Sequence, residues 1–159
     1  MDVSNKELHR VVVTAIVYKS DRTYLITKHS AKKISHPDRW LIPGGGLTTD
    51  DYLTRPSESK NDTAWLEPLE AALRREIKEE TGLEIGQPEL LTNIAYVRPD
   101  SIPVIVLSYF APYQSGEVVL EEGEATEFAW VSAEEAEKYN LVGNSLDEIK
   151  SVDTILKSR

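Results

Sequence analysis

The sequence predicts an α/β fold with a mixed β-sheet sandwiched between helices, and three features carry that expectation. Val11 to Val17 is a β-branched apolar run suited to a buried strand, and Pro68 to Gly82 has the composition and the ends of a helix. Two further apolar segments and two short helical patterns follow. Strand pairs, a glycine loop, a helix, more strands and closing helices are the order of a layered sheet, not of a helical bundle. A chain of 159 residues has the size of one domain with a single substantial core.

In chain order, Arg10 to Lys19 forms the first strand, Ser20-Asp-Arg22 is turn material, and Thr23 to Thr27 is its hairpin partner. Lys28 to Arg39 is the most basic stretch of an acidic protein; Lys28, His29, Lys32, Lys33, His36 and Arg39 either offer cations to a phosphate or are simply solvated. Trp40-Leu-Ile-Pro-Gly-Gly-Gly46 is a short extended segment ending in a glycine run. Thr48 to Leu66 lacks periodicity and reads as an inserted flap, in which Tyr52, Arg55 and Trp65 either cap a site or pack among themselves. Beyond Gly82, Glu89 to Arg98 and Pro103 to Tyr109 form a hairpin, Gly116 to Leu120 adds a strand, and Phe128 to Val131 another. Ser132-Ala-Glu-Glu135 and Ser145-Leu-Asp-Glu148 both open as capping boxes. They start a short helix over Glu134 to Tyr139 and a last helix with Leu146, Ile149, Val152 and Ile155 or Leu156 inward.

The chemistry is concentrated in Glu67-Pro-Leu-Glu-Ala-Ala-Leu-Arg-Arg-Glu-Ile-Lys-Glu-Glu-Thr-Gly82. Pro68 suits a first helical position and Gly82 a left-handed stop. At about 100° per residue, Leu66, Leu69, Leu73 and Ile77 share an apolar arc, with Glu76, Glu79 and Glu80 within or beside it. Inward carboxylates without partners cost several kcal/mol each, so a cation is expected among them. An all-oxygen set suits a hard divalent ion, Mg2+ with Mn2+ as substitute, and the absence of cysteine removes thiolate alternatives. The plain alternative is a solvated acidic face paired with Arg74, Arg75 and Lys78.

Arg75-Glu76-Ile77-Lys78-Glu79-Glu80-Thr81-Gly82-Leu83 resembles the second half of the Nudix box, the signature of hydrolases acting on a nucleoside diphosphate linked to another group. Glu67 stands seven intervening residues before Arg75, as in that box. The box glycine is expected at Asn61, whereas Gly45 of Pro43-Gly-Gly-Gly46 lies sixteen residues further upstream, which implies an insertion within about 48–66. The resemblance implies the Nudix fold and a metal shell of Glu76, Glu79, Glu80 and the Gly44 carbonyl. It makes Gly45 the box glycine beside substrate, with Glu67 and Gly82 as structural members of the box. Arg75 would orient a box glutamate, with Glu67 as a partner, and Glu124, with Glu121 and Glu127 as alternates, would join metal binding or water activation. The implied reaction yields a nucleoside monophosphate and a phosphorylated remainder from a nucleoside triphosphate, nucleotide sugar or ADP-ribose type substrate, with Lys28, His29 and Arg39 as candidate substrate contacts. Homodimers are common in the resembled family.

Two rivals share that fold. A non-catalytic nucleotide-sensing module commonly lacks box glutamates, all of which are present; a prenyl diphosphate isomerase relies on a cysteine, which is absent. A net charge of −9 argues against a nucleic acid polymer as partner. No apolar run reaches membrane-spanning length and the N-terminal residues lack a signal-peptide layout, so the expectation is cytoplasmic.

Overall fold

The computed structural model describes residues 6–60 and 63–159; Asn61, where the motif spacing calls for glycine, lies outside the described residues. Strand β1 (Arg10–Tyr18) forms the centre, because its alternate side chains serve two cores. Val13, Ala15 and Val17 pack with Ala72, Leu73 and Ile77 of a helix on one face. Ile16 packs with Ile149 and Val152 of another helix on the opposite face.

Strand β2 (Tyr24–His29) meets β1 antiparallel at Tyr18 and Tyr24, then continues with β3 (Trp40–Leu41) on one side. Strand β4 (Gly44–Gly46) pairs antiparallel with β1, Gly44 opposite Thr14 and Gly46 opposite Val12. A four-residue helix α1 (Asp50–Leu53) follows, then α2 (Pro68–Thr81). Pro68 begins α2 as expected, and Gly82 ends it at φ 75°, donating its N–H to the Lys78 carbonyl at 2.9 Å. Leu66 is 69% exposed and precedes the helix, so it is not part of the apolar arc.

After β5 (Glu84–Ile85), strands β6 (Glu89–Val97) and β7 (Pro103–Ser115) form the second hairpin. Strand β7 is longer than the sequence indicates and runs parallel to β1 from Arg10 opposite Val104 to Tyr18 opposite Pro112. The parallel β1–β7 pair beside antiparallel strand pairs makes the sheet mixed. Gly116 to Leu120 forms no strand; Val119 gives its N–H to the Thr81 carbonyl at 2.9 Å and caps α2 instead. Strand β8 (Ala125–Val131) pairs with β2. A 3-10 turn (Glu135–Lys138) opens with the expected reciprocal cap, Ser132 N–H to Glu135 at 2.9 Å and Glu135 N–H to Ser132 Oγ at 3.1 Å. Helix α3 (Ser145–Lys157) closes the second face, and its Glu148 side chain turns inward instead of capping. No helix among the described residues is long and apolar enough to cross a membrane.

Candidate active site

Leu73 and Ile77 seat α2 against the sheet, and this brings Glu76 and Glu80, on the same side of the helix, to the glycine strand β4. Gly44 donates its N–H to Glu80 Oε2 at 2.9 Å. A Cβ on Gly45 would overlap the Glu76 carboxylate, so only glycine lets that backbone lie so close. Both glutamates line one end of a cavity of about 890 Å³, together with Glu121 and Glu124 from the loop before β8. Lys33 forms an ion pair with Glu124 at the same end, where Lys32 and His29 also line the wall.

Burial sets the charge state of this cluster. It pushes the Glu80 carboxyl up to about 8, with Glu76 and Glu124 pushing the same way and the Gly44 N–H and Lys33 opposing. Glu76 is raised for the same first reason, burial, with the adjacent Arg75 opposing. His29 is lowered by burial, while its Nδ1 lies 2.9 Å from the Ser35 carbonyl. Among the described residues, no three acidic or histidine side chains are gathered tightly enough to make a finished cation site. The donor set still fits a hard divalent ion: oxygen atoms only, half-buried carboxyls that repel one another, and a side-chain-free backbone alongside.

Arg75 organises the helix side of the cluster. Its Nε donates to Asp51 Oδ1 at 2.6 Å and its second guanidinium nitrogen to Oδ2 at 3.1 Å. The third nitrogen, Nη1, donates to Glu76 Oε1 and Glu79 Oε2, each at 2.9 Å, and Nη2 also donates to the Gly46 carbonyl at 3.1 Å. Asp51, whose side chain is 1% exposed, also accepts from the Thr48 N–H at 2.8 Å. The guanidinium beside it holds the Asp51 carboxyl below the usual carboxylate range.

This geometry coincides with a sequence match to the family model described as NUDIX domain, over residues 8–150. The chain belongs to the NUDIX family. Among curated relatives, this NUDIX protein is 28% identical to the nucleoside triphosphatase NudI of Klebsiella pneumoniae (strain 342), over 83% of this chain and 88% of that one. It is 30% identical to the NudI of Escherichia coli (strain K12), over the same shares. The fold is similar to that of a MutT NUDIX hydrolase from Burkholderia pseudomallei, with a TM-score of 0.70 at 22% identity, covering 92% of this chain and 99% of that one. It is also similar to the NUDIX domain of Shewanella oneidensis NrtR complexed with ADP ribose, with a TM-score of 0.67 at 16% identity, covering 94% and 90%.

Within this NUDIX domain, several expected roles move. Glu67 is exposed, sits at φ 50° before α2 and makes no side-chain cap, so Arg75 pairs with Asp51 and not with Glu67. Asp51 follows Gly45 by five intervening residues, the spacing at which the box places its first glutamate; the sequence carried that signal. Glu79 is half exposed and turned to Arg75, outside the cavity wall, so the three acids do not converge as their spacing suggests. Lys28 pairs with Glu127 at 2.7 Å, and Arg39 donates to the Asn140 and Leu141 carbonyls at 3.2 and 2.9 Å; neither lines the cavity. Tyr52 and Trp65 pack on each other with centroids 5.3 Å apart, and Trp65 Nε1 donates to the Arg55 carbonyl at 2.9 Å, so this part of the loop braces itself. Sequence reasoning missed Arg10, Arg98, Ser108 and Glu148, all of which line the same cavity.

Proposed function

We propose that this protein is a metal-dependent pyrophosphohydrolase acting on a nucleoside diphosphate linked to another moiety, most simply a nucleoside triphosphate, and releasing the nucleoside monophosphate. The observation that carries the reading is the gathering of Glu76, Glu80 and Glu124 on the wall of a nucleotide-sized cavity, with Glu80 and Glu76 against the side-chain-free backbone of Gly44 and Gly45. Nucleoside triphosphatases among the relatives point to the same substrate class.

Glu76, Glu80 and Glu124, with a backbone carbonyl of the Gly44–Gly46 strand, are the groups that would hold Mg2+ or Mn2+. When bound, the ion supplies charge neutralisation for a diphosphate and makes water easier to deprotonate. Lys32 and Lys33 border the same end and can meet phosphate oxygens. Glu124 Oε, once released from Lys33, can accept the proton of the attacking water, with Glu121 next to it on the wall. Arg75 does no chemistry: held by Asp51, it fixes Glu76 and sets how far Glu79 can swing inward. The reading extends to a single domain over the chain, cytoplasmic and acting on a small nucleotide, with a homodimer as an assembly common in the family.

The test is a panel of nucleoside triphosphates, nucleotide sugars, ADP-ribose and dinucleoside polyphosphates with Mg2+ or Mn2+, scored for released monophosphate. Metal-dependent release from at least one class is expected. Tight nucleotide binding with no release from any would replace the hydrolase with the sensing module.

A further inference from the structure

The sheet registers Gly44 opposite Thr14 and Thr14 opposite Ser108, so one row of residues crosses from the glycine strand through β1 to β7. At the sheet's strand spacing that row spans about 10 Å, the reach from a nucleotide's phosphates to its base. Above its far end stands Glu148 of α3, 8% exposed and lining the cavity. Its Oε1 accepts from Ser108 Oγ at 3.2 Å, and Ser108 Oγ accepts from Thr14 Oγ1 at 3.2 Å. Oε2 has no hydrogen-bond partner among the described residues. Beside this acceptor, Val12, Val106 and Ile94 stand in register on three adjacent strands and line the same cavity as a flat apolar floor.

A mostly buried carboxylate that lines the cavity with one oxygen unpartnered among the described residues is an acceptor for N–H donors of a bound ring. An apolar floor beside it asks for a planar ring. We infer that Glu148 is the base-reading residue of this site and selects a nucleobase whose edge offers two adjacent N–H donors, as guanine does. Uracil and thymine present one N–H flanked by two carbonyl oxygens, which the carboxylate repels; adenine and cytosine set an acceptor next to their amino group. Ser108 fixes the carboxylate in place through one lone pair of Oε1, so that Oε2 and the second lone pair of Oε1 can each accept one N–H of the base. This rests on the nucleotide reading of the site, and it adds which nucleotide.

Two measurements test it: calorimetric binding of GMP against UMP, and kcat/KM for GTP against UTP with Mg2+, in the wild type and in Glu148→Gln. The wild type should favour the guanine nucleotide by about ten-fold or more in both. Glu148→Gln should collapse that ratio, with the change in KM rather than kcat. Should this variant fail to fold, the wild-type GMP to UMP ratio decides by itself. Turnover of both triphosphates without a guanine preference, or a preference that survives Glu148→Gln, would overturn the inference and leave the hydrolase reading intact. Selective GMP binding lost in Glu148→Gln, with no triphosphate turned over, would support the inference and overturn the hydrolase reading alone.

Discussion

Asp51 and Arg75 form a two-pronged ion pair at 2.6 and 3.1 Å, across a loop that separates them by 24 positions. It ties the short helix after the glycine strand to the helix that bears the acids. Asp51→Asn keeps the shape and removes the charge, so it should cost about 2 kcal/mol in urea unfolding, because the buried carboxylate that takes both prongs of the Arg75 guanidinium is replaced by a neutral amide with one acceptor. Glu67→Gln, at an exposed site, should stay within about 0.5 kcal/mol. The reverse order would return the partner role to Glu67.

The acid cluster should make stability fall as pH rises. Burial lifts the Glu80 carboxyl from its ordinary 4.5 to about 8, so between those values the folded state keeps a proton that the unfolded chain has released. Stability is therefore full below the unfolded value and is lost towards pH 8. Glu76, raised by burial, adds to the slope, whereas Asp51, lowered by Arg75, acts in the opposite sense below the ordinary carboxylate range. Thermal scans in EDTA should show Tm dropping from pH 5 to pH 8, a flatter profile for Glu80→Gln, and recovery at pH 8 on adding Mg2+. A wild-type Tm that rises over this range would contradict the assignment.

Gly45→Ala should separate activity from folding. The added methyl meets the end of the Glu76 side chain, which can swing aside, so the fold should lose less than about 1 kcal/mol. Turnover should drop by about 100-fold, since a displaced carboxylate no longer faces the reacting phosphates. Equal turnover in the variant would remove Glu76 from the site.

Two lysines five sequence positions apart should behave differently. Lys28, in an exposed pair with Glu127, should tolerate alanine within about 0.5 kcal/mol and without change in KM. Lys33→Ala should raise KM, because Lys33 lines the acidic end of the cavity. Matching KM values for the two variants would show that the basic loop does not meet substrate.

What the sequence made legible was local chemistry. Pro68 and Gly82 bound α2 because ring constraint and left-handed freedom act within a residue or two. The Val11 to Val17 run became β1 because β-branched residues pack on a pleated surface regardless of partner. Non-local pairings stayed hidden. Glu148 has the spacing of a cap, and only the parallel register of β1 and β7 brings Ser108 under it. Glu79 shares the spacing of Glu76 and Glu80, yet the position of Arg75, set by Asp51, draws it away from the cavity. Gly116 to Leu120 has strand-like valines, but its backbone hydrogen bond goes to the end of α2.

In the proposed reaction Glu80, beside the Gly44 N–H, would help to grip a divalent ion at a scissile phosphoanhydride. Steady-state release of nucleoside monophosphate from a nucleoside triphosphate with Mg2+, wild type against Glu80→Gln, tests it most directly. A loss of about 100-fold or more in kcat with a folded variant is expected; a rate within about two- to three-fold of wild type would remove Glu80 from the ion site.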